Sequence, residues 1–122
     1  MNKKKTTGNY GESFACRKLK AKGYKIVCRN YRKTCGEIDI IAENDEFIVF
    51  VEVKTRGENY MFEPIYAITK DKQRKIIKTA QLYLMKNSVE KQPRFDTFEV
   101  VLRNSLIFKV KEYTHIENAF WQ

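Results

Sequence analysis

Histidine is nearly absent from the sequence: His115 stands alone among 122 residues. Zinc catalysis, and any hydrolytic scheme that needs two imidazoles, are all but excluded. Cysteine is scarce and odd in number. Cys16, Cys28 and Cys35 show no C-x-x-C spacing and read as reduced, partly buried thiols of a cytoplasmic protein. No long hydrophobic run occurs. The longest, Phe47 to Val51, is far too short to span a bilayer, so no membrane partner is expected. The start, "MNKKKTTGNYGE", is basic but has no apolar stretch behind it, so no secretory signal is expected. Acidic residues are outnumbered 15 to 24 by Lys and Arg, and the net charge of +9 points to a polyanionic partner, nucleic acid before membrane.

Against these absences, 43% of the residues are hydrophobic and 13% aromatic, enough for one core without staples. A single domain over residues 1–122 is expected, with Met1 to Thr7 as a mobile tail. A helix is predicted from about Asn9 to Lys22, stopped by Gly23. Strands follow at Tyr24 to Tyr31, Glu37 to Glu43 and Glu46 to Thr55. Arg56 to Ile68 reads as a loop. Thr69 is a plausible N-cap for a helix to about Asn87. Two more strands are predicted, Phe95 to Arg103 and Leu106 to Tyr113, joined by a tight turn at Asn104-Ser105. Thr114 to Gln122 reads as a short helical segment that packs Ile116 and Phe120. The order implies an α/β fold: a mixed sheet flanked by helices, with the second helix as crossover.

The stretch "CGEIDIIAENDEFIVFVEVKTR", Cys35 to Arg56, carries the chemistry. Side chains alternate across a strand. In the third strand Ile48, Phe50, Glu52 and Lys54 share one face, opposite Phe47, Val49, Val51 and Val53. In the second, Glu37, Asp39 and Ile41 face away from Ile38, Ile40 and Ala42. A two-residue turn at Asn44-Asp45 pairs Glu43 with Glu46 and puts Asp39 across from Phe50. Asp39 and Glu52 are then diagonal neighbours on one face, about 7–8 Å apart at Cα. Carboxylates gathered under cover repel unless a cation joins them. With a single histidine in the chain the ligands of any metal must be oxygens, and these favour Mg²⁺ or Mn²⁺. The alternative is a Glu52–Lys54 pair with Asp39 bonded to backbone. Glu12 shares a helical stripe with Ala15, Cys16 and Leu19, so it either reaches this site or is a favourable charge in a first turn. Gln73 opens the inner stripe Ile76, Ile77, Ala80 and Leu84. It either meets a phosphate or a water or is simply a polar residue at a helix end. Lys70, Lys72, Arg74, Lys75 and Lys78 cover the other faces.

Together "GEIDII" and "FVEVKTR" resemble the signature of the YraN-like bacterial proteins, a family placed in the PD-(D/E)XK restriction-endonuclease-like superfamily. "GNYGESFA", "NYR", "KDKQRKI", "RFD" and "NAF" resemble further segments of that family in the same order, so the likeness covers nearly the whole chain. One departure is Glu63, which follows Phe62 where a glycine is expected. The resemblance implies an αβββαβ core and a site similar to that of Holliday-junction resolvases. By position it implies Asp39, Glu52 and Glu12 as metal-associated carboxylates, Lys54 as the catalytic lysine and Glu37 as an accessory acid.

The resulting expectation is Mg²⁺- or Mn²⁺-dependent hydrolysis of DNA in repair or recombination, with branched DNA as a candidate substrate. Lys3 to Lys5, Arg29, Arg32, Lys33, Arg56, Lys72, Gln73 and Arg74 are candidate nucleic-acid contacts, and a homodimer is compatible by similarity to the resolvases. Two other classes stay open. One is a non-catalytic nucleic-acid-binding module; the other is an adaptor that uses exposed aromatics at Tyr60, Phe62, Tyr66 and Trp121.

Overall fold

The computed structural model describes the backbone of residues 3–58, 68–103 and 109–120, and side chains from residue 8 onward. Its elements are α1 (Lys3–Ala21), β1 (Lys25–Lys33), β2 (Gly36–Glu43), β3 (Phe47–Gly57), α2 (Lys70–Lys86), β4 (Gln92–Leu102) and β5 (Val110–Ile116). The architecture is α/β, a five-stranded mixed sheet with two helices, consistent with a restriction-endonuclease-like αβββαβ core. Spatial order follows chain order, β1-β2-β3-β4-β5. The pairs are antiparallel except β3–β4, which run parallel from Phe47↔Gln92 to Gly57↔Leu102 because α2 crosses over between them.

The helices cover opposite faces. Ala15, Cys16 and Leu19 of α1 pack on Ile40, Ala42, Val49, Val51, Phe98 and Val100. Ile76, Ile77 and Ala80 of α2 pack on Ile41, Ile48, Phe50 and Phe95. β3 is therefore apolar on both faces along its first half, as a central strand must be. The expected helix signals hold: Gly23 has φ +96° after α1, and the Thr69 hydroxyl accepts the Lys72 amide at 3.1 Å to cap α2.

Several expectations are corrected. Helix α1 begins at Lys3, not near Asn9, and takes in residues expected in a tail. Strand β5 continues to Ile116, and no helix follows it through Phe120. Instead the Ala119 amide bonds the Phe95 carbonyl, and Phe120 stacks on Phe95 at 5.4 Å. The Asn104-Ser105 turn, Glu63 and the aromatics Tyr60, Phe62, Tyr66 and Trp121 lie outside the described residues.

The β2–β3 turn is Asp45-Glu46 rather than Asn44-Asp45. Asn44 Oδ1 accepts the amides of Glu46 and Phe47, at 3.0 and 2.7 Å, so Asn44 opens the turn instead of sitting inside it. The ladder then runs Glu43↔Ile48, Ala42↔Val49, Ile41↔Phe50 and Ile40↔Val51. Each strand is displaced by one residue from expectation, which changes neighbours but preserves faces.

A second correction concerns Ile38, which joins the α2-side cluster with Ile41 rather than sharing a face with Ile40. On the adjacent strand Cys28 and Tyr31 likewise both face α2. Between them Asn30 adopts φ +54°, a left-handed conformation that asparagine tolerates. Alternation therefore slips on both strands at one level, and that level is Asp39.

Gly11 seats α1 against β3. A Cβ there would run into Thr55 Oγ1, so only glycine permits this approach, one residue before Glu12. Gly11→Ala is expected to lower the unfolding free energy in urea titrations by about 1–3 kcal/mol, and Thr55→Ala in that background to recover part of it. Unchanged stability in Gly11→Ala would mean that α1 is not seated here.

Candidate functional site

The site forms where the β2–β3 ladder stops. Beyond Ile40↔Val51, the next bond is made by a side chain: the Val53 amide donates to Asp39 Oδ2 at 2.8 Å. Asp39 and Glu52 are the residues next after the last pair of the ladder, so they face each other where it stops, rather than standing in the diagonal relation expected. Their carboxyl groups are hydrogen-bonded to each other, which requires a proton between them. Burial, then the charge and bond of Glu52, push the Asp39 carboxyl up to about 9, with the Val53 amide opposing and Glu12 adding a little.

Lys72, in the first turn of α2, reaches the same place. Its Nζ lies 2.5 Å from Glu52 Oε2, and its side chain is 54% exposed where that of Glu52 is 8% exposed. Burial would lower the Lys72 ammonium, but the bond and charge of Glu52, with Asp39 and Glu37, raise it overall. Lys72 was expected on an outer face of the helix; it is instead in contact with the carboxylates. Lys54 follows Glu52 by two residues on the same face and is exposed.

Glu12 comes near from the α1 side, where its charge is felt by Asp39, but its carboxylate pairs with Arg29 at 3.4 Å. Glu37 is turned outward to Arg32, 2.9 Å away. Arg74 and Lys75 both pair with Asp71 on the exposed side of α2. Gln73 donates to the Ile68 carbonyl at 3.0 Å, securing the entry to α2. Arg56 is corrected: its guanidinium bonds Glu99 at 3.2 Å between β3 and β4, where both side chains are largely buried. It is not placed to meet a polyanion in solution.

Two features escaped the sequence reading. Thr97 lies in register with Glu52 on β4, 8% exposed, and its Oγ1 has no hydrogen-bond partner. A buried hydroxyl without a partner costs roughly 1–3 kcal/mol. The second is a charged network on the α1 face, away from the carboxylates. Arg94 grips Asp96 through two bonds at 2.9 and 2.8 Å, His115 Nε2 lies 2.7 Å from Asp96 Oδ2, and the Asn118 amide donates to Asp96 Oδ1. Burial would raise the Asp96 carboxyl, but His115, Arg94 and Asn118 hold it below its ordinary value.

Among the described residues no three carboxylate, thiol or imidazole groups close around one point. The donor set is a facing carboxylate pair with an unpartnered hydroxyl one strand over. That set fits Mg²⁺, which keeps several of its waters and takes one or two carboxylates with substrate oxygens. Asp39 and Glu52 would hold such a cation in place of the proton they retain.

The model of the uncharacterised protein family UPF0102 matches residues 11–100. A UPF0102 protein of Clostridium botulinum (strain Loch Maree) is 50% identical over 119 residues, 95% of this chain and 94% of its own length. A UPF0102 protein of Caldanaerobacter subterraneus is 45% identical over 118 residues, 96% of each chain. One from Persephonella marina is 46% identical over 114 residues, covering 93% and 91%.

The raised Asp39 pKa gives a pH signature. Between about 4 and about 9 the folded state holds a proton that the unfolded state has released, so metal-free stability falls as pH rises through that window. Thermal melts from pH 5 to 9 should show a falling midpoint in the wild type and a flatter profile in Asp39→Asn. Parallel profiles would remove the shared proton.

Proposed function

The chain belongs to the UPF0102 family, and from that premise we propose that it is a metal-dependent nuclease of the PD-(D/E)XK superfamily acting on DNA. The observation that carries this reading is the facing Asp39–Glu52 pair, set under cover at the end of a broken ladder. A fold does not keep two carboxyl groups in such contact without cost. A metal-dependent phosphodiesterase site has a use for that arrangement, because the cation it holds offsets the repulsion.

Asp39 and Glu52, with the Val53 carbonyl, would hold Mg²⁺ or Mn²⁺. When bound, that cation supplies Lewis acidity at the scissile phosphate and favours deprotonation of the attacking water. Lys54, exposed two residues beyond Glu52, orients that water and offsets charge on the phosphoryl oxygens. Glu12 adds negative potential from the α1 side while Arg29 fixes its carboxylate. Arg32 and Arg74, both exposed, contact backbone phosphates, an interaction that weakens with salt. Gln73 and Arg56 hold the framework in place instead. No base-reading element is evident, so the action is structure-selective or non-specific, with branched DNA the substrate by similarity to the resolvases. A homodimer and a cytoplasmic setting belong to the same reading.

A second reading, a DNA-binding module without catalysis, draws on the Lys72–Glu52 pair, which neutralises Glu52 with no metal at all.

Labelled linear, nicked, flapped and four-way DNA, incubated with Mg²⁺, Mn²⁺ or EDTA, separates the two. Cleavage should require metal and fall at least about a hundredfold in Glu52→Ala and in Lys54→Ala. Binding without cleavage in any metal favours the module. Cleavage that survives in both variants removes the site assignment.

A further inference from the structure

We propose that Lys72 is the resident counter-cation of the carboxylate site, displaced by the divalent ion and handed to a phosphate of the nucleic acid. The inference rests on the nuclease reading and concerns how that site is regulated.

The geometry makes Lys72 the movable partner. Glu52 lies on the central strand, hydrogen-bonded to Asp39 and almost fully covered, whereas the Lys72 side chain is half exposed. The Lys72 backbone is fixed, because its amide is bound by the Thr69 cap. Only the flexible four-carbon stem needs to swing. Its basic neighbours Arg74 and Lys75 are engaged by Asp71 on the outer side of α2. Lys72 is thus directed at the carboxylates from this first turn.

Both cations draw on the same negative charge, so each weakens the hold of the other on Glu52. An ammonium bonded to Glu52 Oε2 occupies the position that a hydrated dication would take. The dication interacts with both carboxylates, the ammonium mainly with one. Its entry therefore frees Lys72 beside the amino-terminal end of α2, where the helix dipole also favours an anion. A lysine there acts as a compact point charge on a phosphate. The metal would then both complete the site and raise its affinity for substrate.

Calorimetric titration of MnCl₂ into the full chain tests the first half, with Lys72→Met, Lys72→Gln and Lys72→Arg beside the wild type. Metal-free thermal melts check that each variant is folded. Lys72→Met and Lys72→Gln should bind Mn²⁺ about tenfold more tightly, as removal of a charge-assisted competitor implies, and Lys72→Arg should stay near the wild type. The second half is read by fluorescence anisotropy of a labelled duplex in CaCl₂ at stepped salt. There the two neutral variants should bind more weakly, with a log–log salt slope smaller by about one. Equal Mn²⁺ affinity in wild type and neutral variants overturns the displacement while leaving the nuclease reading intact. Absence of Mn²⁺ binding in every protein overturns both. An unchanged salt slope overturns the transfer to phosphate.

Discussion

One hydrogen bond divides the molecule into scaffold and site: the Val53 amide donating to the Asp39 carboxylate. Up to Ile40↔Val51 the hairpin is an ordinary ladder with backbone groups satisfied by backbone. At the next step a side chain takes over, the strands diverge, and a carboxyl group is fixed in the gap. The same bond favours the ionised form of Asp39, while burial and Glu52 oppose it more strongly. Asp39 is therefore held in place by one interaction and kept protonated by others. The sheet supplies the rigidity this needs. β3 is paired along its length with β4 and covered by a helix on each face, so Glu52 has little freedom to retreat.

How much of this was legible in the sequence depends on the range of the determining contact. Which residues of β3 face which helix follows from period-two alternation, and it held from Phe47 to Val53. The exact partners of Asp39 did not follow, because the register turns on where the Asn44 side chain bonds. The face was right because moving each strand by one residue leaves parity unchanged. Ile38 was misplaced by a left-handed Asn30 on the neighbouring strand. The asparagine in "NYR" was the available signal, but a single tolerant residue does not announce its φ. Arg56 could not be distinguished from a surface arginine, since its partner Glu99 lies 43 residues away on a strand whose parallel register nothing local specifies. Lys72 was hidden by its own neighbourhood, one lysine among several in "KDKQRKI".

Two buried charge clusters in this sheet are handled in opposite ways. On the α1 side Asp96 is satisfied by Arg94, His115 and a backbone amide, a closed set that asks for nothing further. On the α2 side Asp39, Glu52 and Thr97 contain a shared proton, a half-exposed lysine and an unpartnered hydroxyl. Removing one partner from the first network would strand a buried charge at a cost of about 3–5 kcal/mol, whereas the second is already short of partners. The contrast argues that the α1-face network is structural and that function lies with the unsatisfied one.

The closed network has a consequence for synthesis. Arg94 and Asp96 emerge from the ribosome some twenty residues before His115 and Asn118, which complete their surroundings. Until those arrive, the central strands have a partner strand whose two charges are still hydrated, and burying them early is unfavourable. The α1-side core therefore cannot seal before His115 and Asn118 are in place. Closure thereby waits on residues 115–118, so a chain cut before them does not enclose a finished sheet.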